Sequence, residues 1–369
     1  MRELRWLLRV APPFAALAAV VALGSGSLRA TAVAAGCGPE HPLVPATQAS
    51  PAGAFVISPL LDASGALAGQ RLELGTARRV ASRLALPAES FAAGPFGRAI
   101  LVGADDGRHS TLRAVDATTG CAWPLATERD VIRRATIDSA AGNVYEYRVD
   151  RATRADLGVW RRPLGGGDAA RVLAPLPADD RYGPTFSTEL SWSAEGDVLV
   201  VQSCGISSCR TRLLDIATAA VRTLESADQG EVIGLAAGHL ITFGACRGLP
   251  CNIASVDAVT GERTTLAPAA RGARLVTTSH GPRLLAEVGT DDERALMVVD
   301  PASAASTPLP ADIHDWHLVP SAPRADGALG VPPGWALLTR DGQAITPGDT
   351  AQLLRVDDGS TVGLTEVTR

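Results

Sequence analysis

The chain repeats itself. Val198 to Leu224 reads VLVVQSCGISSCRTRLLDIATAAVRTL, and Leu240 to Leu266 reads LITFGACRGLPCNIASVDAVTGERTTL, the same layout 42 positions later. Cys204 aligns with Cys246, Cys209 with Cys251, Asp215 with Asp257, Thr218 with Thr260 and Leu224 with Leu266. A four-stranded sheet cannot bury both faces alone and must stack on neighbours, and a period of this length marks β-propeller blades. The repeat identifies an architecture without naming a reaction.

Residues 1–36 read as a leader rather than as part of the fold. Arg2, Arg5 and Arg9 form a basic start, Val10 to Gly24 is an apolar run of 15 residues broken by Pro12 and Pro13, and ATAVAAG follows. The run is short for a bilayer span of about 20 residues. It fits a signal peptide with an A-x-A type site, cleaved near Ala34 or Ala35. The alternative is an uncleaved N-terminal anchor whose arginines stay in the cytoplasm. Both place residues 37–369 outside the cytoplasm, secreted or at the cell surface. AVAAGC also reads as a lipobox with Cys37 acylated, although Ala34 stands where a larger aliphatic residue is usual and Arg29 separates the site from the apolar run.

The six cysteines weigh against acylation. Cys204 with Cys209 and Cys246 with Cys251 are local pairs across four-residue loops, which suit disulfides. Cys37 and Cys121 are left for each other, and acylating Cys37 would strand Cys121 as a lone thiol in an oxidising compartment. A zinc site is the rival reading of the CxxxxC pairs, but the spacer is too long and no histidine is near. No metal or other cofactor is expected.

All 34 basic residues are arginine, and with 39 acids the net charge is −5. No basic field exists to attract nucleic acid. Membrane contact is expected only through an N-terminal anchor or lipid. Pro and Gly are scattered, so 37–369 reads as one domain, and propellers exceed the usual size of a single core by adding blades.

Seven four-stranded blades are expected, with six or eight as alternatives because the first and last units are weakly marked. Phe55–Leu61 with Arg71–Leu74 fall in the first, Ala99–Gly103 with Thr111–Val115 in the second, and VYEYRV from Val144 with VWRRPLGGG from Val159 in the third. The aligned repeats are the fourth and fifth. RLLAEV from Arg283 and ALMVVDPAS from Ala295 mark the sixth, and WALLTRDG from Trp335 and QLLRVDDG from Gln352 the seventh. Turn positions Gly75, Asp116, Gly165, Asp215, Asp257, Asp300 and Asp357 recur at blade-like intervals. Apolar runs bounded by Gly, Asp and Pro are what strands buried on both faces look like. Helical periodicity is nearly absent, and a β-sandwich would not need the 42-residue unit.

SWSAEGDVLVVQS, from Ser191, resembles the blade-opening motif of TolB-like and related WD40-like bacterial propellers, where Trp-Ser precedes an acidic-Gly turn and an apolar strand. VWRRPLGGGDAARVL, from Val159, is similar to their closing strands and Gly-Gly turn. Ala194 and Glu195 replace the usual Pro-Asp, so the resemblance is to a fold superfamily. It implies a binding scaffold.

Two segments concentrate candidate ligand-binding residues. Ala311 to Gly334 is the longest connection between strong strands, and it carries His314, Asp315, Trp316 and His317. Long loops of this kind are often functional; the plainer reading is an inner strand DIHDWHLV, whose alternation separates the two histidines. PADDRYGPTF, from Pro177, offers Asp179, Asp180, Arg181 and Tyr182, with a solvated turn as the plainer reading. The DDG turns at Asp105 and Asp357 lack calcium-loop spacing, and the glycines from Gly165 lack the Lys and Ser or Thr of a phosphate loop. No GxSxG or HExxH is present. The expected function is a binding scaffold for an envelope or extracellular protein, peptide or glycan. The alternatives are a propeller hydrolase or lyase with its site in the central channel, and a structural envelope module. Convergence of three or more of His280, His314, His317, Asp179 and Asp180 on one point would favour the enzyme or a metal site.

Overall fold

Short apolar runs separated by Asp- and Gly-containing turns favour antiparallel hairpins, because each turn hands the chain straight back along the strand it left. The computed structural model describes residues 54–64, 67–76, 79–87, 89–96, 99–116, 121–138, 141–176, 187–193, 197–204, 209–224, 230–244, 251–290, 293–310, 316–318, 329–330, 334–340 and 351–363. Among them every helix or strand element is a strand, and every pairing between strands is antiparallel.

The first sheet contains β1 (Ala54–Leu61), β2 (Leu67–Thr76) and β3 (Arg79–Leu86). The second is β4 (Ser90–Phe96), β5 (Ala99–Asp105), β6 (Ser110–Asp116) and β7 (Ala122–Glu128), and the third is β8 (Val131–Asp138), β9 (Asn143–Val149), β10 (Asp156–Pro163) and β11 (Ala170–Leu173). The fourth is β12 (Ser187–Ser193), β13 (Val198–Cys204), β14 (Cys209–Asp215) and β15 (Val221–Leu224). A seven-stranded sheet follows in chain order: β16 (Glu231–Ala236), β17 (His239–Phe243), β18 (Cys251–Asp257), β19 (Arg263–Thr278), β20 (Gly281–Gly289), β21 (Arg294–Val299) and β22 (Ser306–Pro308). The front of the 16-residue β19 pairs with β18 and its rear, from Ala270, with β20. One strand thus ends one four-strand run and begins the next.

The last sheet starts with β23 (His317–Leu318). The chain then crosses to the first sheet, where β24 (Leu329–Gly330) pairs with Val56 and Phe55 of β1, and returns for β25 (Trp335–Thr339), β26 (Ala351–Arg355) and β27 (Thr361–Gly363). The segment 311–334, read from sequence as one long connection, therefore holds two short strands in different sheets. Of the expected inner strand DIHDWHLV, His317 and Leu318 are paired with Thr339 and Leu338, and residues 311–315 lie outside the described residues. So does the segment 1–36.

The core lies between sheets. Tyr145, Val159 and Leu173 of the third sheet pack on Leu199, Val201 and Leu214 of the fourth, whose opposite face sends Val200, Leu213 and Leu224 against Leu235, Leu240 and Val256. Consecutive residues of β13 face opposite neighbours and are buried both ways, which is why VLVV is continuously apolar.

One turn recurs. Asp150, Asp215, Asp257 and Asp300 each accept a hydrogen bond from the backbone N–H three residues on, at 2.6–3.1 Å. The N–H of each Asp donates to the carbonyl five residues on, at 2.8–3.0 Å. The fourth residue after each Asp has φ of 57–76°, and it is glycine only at Gly261; Arg154, Ala219 and Ala304 occupy this left-handed region elsewhere. These hydrogen bonds hold the carboxyls of all four aspartates below the usual carboxylate range.

Candidate functional site

In a four-strand run the chain enters the first strand and turns between the second and third at one end, here termed the entry end. It turns between the first and second, and between the third and fourth, at the other. Glu287 near the end of β20, Arg294 at the start of β21 and His317 at the start of β23 all lie at an entry end, where the seven-stranded sheet meets the last sheet.

Glu287 is 2 % exposed and has three neighbours there. One oxygen accepts from the Leu318 N–H at 2.8 Å, and the other faces His317 Nδ1 at 3.0 Å and Arg294 Nη1 at 3.6 Å. Gly272 permits this approach, since a Cβ there would stand 3.2 Å from the Leu318 carbonyl oxygen. Arg294 Nη1 also lies 2.6 Å from the His317 ring nitrogens. A guanidinium only donates, and a carboxylate only accepts. The Nδ1–H tautomer satisfies both partners, with Nδ1 donating to Glu287 and Nε2 accepting from Arg294. Trp316 packs against the core between these sheets, and the Arg340 guanidinium sits 5.7 Å from its ring centroid. The arrangement ties two sheets together, and in that tautomer both His317 ring nitrogens are engaged.

A second charged junction joins the second and third sheets. Glu146, fully buried on β9, accepts from Arg148 Nε at 2.9 Å and Arg162 Nε at 2.8 Å. Arg148 reaches Glu128 at 3.1 Å, and Arg162 bonds both Glu128 and the Gly167 carbonyl. The Trp160 ring covers Arg148 at 4.8 Å. Burial works against the Arg162 cation, but Glu146 and Glu128 outweigh it and raise its pKa. Two carboxylates and two guanidiniums balance.

The entry hairpins are also tied. Arg151, between β9 and β10, clamps Asp105 through two contacts of 2.8 and 2.7 Å and donates to the Arg129 carbonyl at 2.8 Å. Arg151 is the main cause holding the Asp105 carboxyl below its usual range. Cys204 and Cys209, directly paired across β13 and β14, form a disulfide with Cα atoms 4.0 Å apart. Cys121 and Cys251 are disulfide-bonded as well, while Cys37 and Cys246 lie outside the described residues.

Of the candidate ligand-binding residues, Trp316 and His317 are brought to the Glu287 junction. His314, Asp179, Asp180, Arg181 and Tyr182 lie outside the described residues. His280 is exposed in the turn between β19 and β20, six rungs along that strand pair from Gly272 and Glu287, or about 20 Å. His280 and His317 therefore do not share a site. Among the described residues no group of three or more His, Cys, Asp or Glu is placed to hold a metal ion. Sequence reasoning missed Glu287, Arg294, Glu146, Arg148 and Arg162. Their signal was a charged letter inside an apolar strand, as in VYEYRV and LLAEV.

No family model and no curated protein matches the chain. A solved prolyl endopeptidase, from a study of two such enzymes and their inter-domain dynamics, matches with TM-score 0.51 at 12% identity over 85% of this chain and 50% of its own. TolB from Acinetobacter baumannii matches with 0.46 at 11% over 77% and 67%, and an uncharacterized protein from Listeria monocytogenes EGD-e with 0.49 at 9% over 73% and 80%. At these identities the likeness is one of fold alone, and the endopeptidase match carries it. The chain spans half the length of the peptidase, and a shared fold carries no activity with it.

Proposed function

We propose that the protein is a seven-bladed extracytoplasmic β-propeller whose entry end binds an envelope or extracellular protein, peptide or glycan. The count of seven is supported by reading β19 as the outer strand of one blade and the inner strand of the next, with β24 completing the first. Each of the seven turn positions picked from the sequence then falls within two residues of the end of a third strand. The Cys204–Cys209 disulfide favours an oxidising compartment.

The observation that carries the binding reading is the stiffness of the entry end. The Arg151–Asp105 clamp and the Cys204–Cys209 bridge hold hairpins of neighbouring sheets, and held loops lose little entropy on association. The hydrolase or lyase reading needs a free base, and the His317 ring nitrogens are committed to Glu287 and Arg294.

Site-specific photocrosslinking in the native type of host tests the reading. Crosslinkers at Arg108 and Ala152, exposed in entry hairpins, are expected to capture a discrete partner, and those at Ala217 and Val259, exposed at the opposite end, are not. Equal capture from both ends, or turnover of a peptide or ester panel without capture, overturns it. A pure envelope spacer would show neither.

A further inference from the structure

We propose that Arg212, between the third and fourth sheets, anchors a binding site for a carboxylate. Strand alternation sets the geometry. On β14, Thr211 and Leu213 turn toward the seven-stranded sheet, Thr211 beside Gln202 and Leu213 against Leu235 and Leu240. Arg212 and Leu214 therefore face the third sheet, where Leu214 packs against Tyr145 and Val159. Arg212 is the middle residue of β14, three residues in from Cys209 at the entry end, and only 5% of it is exposed.

Its guanidinium is fixed and half used. Nη1 donates to the Ala174 carbonyl at 2.6 Å, whereas Nε and Nη2 are buried without a hydrogen-bond partner among the described residues. Asp156 is close enough to favour the cation, but its two oxygens accept from the Gly158 N–H at 2.6 Å and the Leu176 N–H at 3.1 Å. Burial pulls the Arg212 pKa down, as expected of a desolvated cation without a contact counter-ion. Arg148 and Arg162, equally buried, are treated differently: each bonds to both Glu146 and Glu128.

The unoccupied edge is chemically specific. Nε–H and Nη2–H point the same way, and this side of a guanidinium matches the two oxygens of one carboxylate. Hydroxyls stand nearby: Tyr147, which influences Arg212 electrostatically, bonds to Thr188, and Thr188 bonds to Ser203 at 3.1 Å. One guanidinium edge with neutral donors suits a single negative charge. The site goes beyond the binding reading above and stands whether or not a macromolecular partner is captured.

Thermal denaturation of the mature protein at fixed ionic strength tests it. The probes are N-acetylglycine for a main-chain carboxylate, the α-amide of N-acetylaspartate for a side-chain carboxylate, acetamide as the neutral control, and inorganic phosphate. At least one carboxylate is expected to raise the Tm saturably while acetamide does not, and the better of the two identifies a chain terminus or an acidic side chain as the source. R212M and R212K are each expected to weaken the response about tenfold or more, R212K because it keeps the charge and loses the fork. Unliganded R212M is expected to unfold no earlier than the wild type, since it removes an unpaired buried charge. An equal response in R212M, a stronger response to phosphate, or no carboxylate response in a wild type that R212M stabilises would each overturn the assignment.

Discussion

Between the second and third sheets, Glu128, Glu146, Arg148 and Arg162 meet under Trp160; between the fourth sheet and the seven-stranded one, Val200, Leu213 and Leu224 meet Leu235, Leu240 and Val256. Both junctions stack a sheet on its neighbour, one by matched charge and the other by excluded water. The difference lies in how each fails. Apolar packing loses stability in proportion to the volume removed. A buried ionic network loses little if all of its charges are replaced together and much if one is removed alone.

The largest expected effect is therefore at Glu146. E146Q leaves Arg148 and Arg162 with a neutral partner in a buried site and is expected to cost about 4 kcal/mol in urea denaturation. Replacing Glu146, Arg148 and Arg162 together by Leu, Met and Leu is expected to restore most of that loss. If the triple variant is as unstable as E146Q, the network is not the reason the junction is fragile. L240A probes the apolar junction and is expected to cost about 3 kcal/mol, with no change between low and high salt. The C204S/C209S double variant, on the apolar side, is expected to lose about 2 kcal/mol by releasing a short closed loop.

A smaller effect belongs to the Arg151–Asp105 clamp, worth about 1 kcal/mol at a partly exposed position. The folded carboxyl of Asp105 titrates below its unfolded value near 4. Its contribution is therefore present above that pH and lost as the pH falls through the lower folded value. Urea midpoints of wild type and D105N should differ at pH 7 and draw together as the pH falls below about 4, and a gap that does not shrink below that pH would mean the clamp acts through packing. The smallest effect is local. R154G beside the charged junction and A219G beside the apolar one each relieve a left-handed residue and are expected to gain about 0.5 kcal/mol in thermal unfolding. Unequal gains would show that the two junctions strain their turns differently.

These contrasts also explain what could be read from the letters. Second and third strands such as VLVVQSC and CRTRLLD were visible because both of their faces are covered, which forces apolar residues at successive positions. Outer strands were not: in β15 three of four residues are exposed, so VRTL reads like a loop. The turns were legible because an Asp carboxylate capping the N–H three residues on needs a fixed spacing. At the candidate site, Trp316 and His317 drew notice as a dense cluster, but their partners Glu287 and Arg294 come from another sheet, 30 and 23 residues away. Proximity of that kind is created by the stacking and has no local spelling.

The two-residue strand β24 has a kinetic meaning. It completes the first sheet by pairing Leu329 and Gly330 with Val56 and Phe55, joining nearly the two ends of the described chain. A contact of such span pays its loop-closure entropy last, so β1 waits with a bare edge while every other strand is already made. Until that pairing forms, the first sheet has one open edge, and the same segment of a second chain could supply the missing strand in place of its own. Chain concentration during folding, more than any bond in the finished sheet, sets how often that exchange occurs.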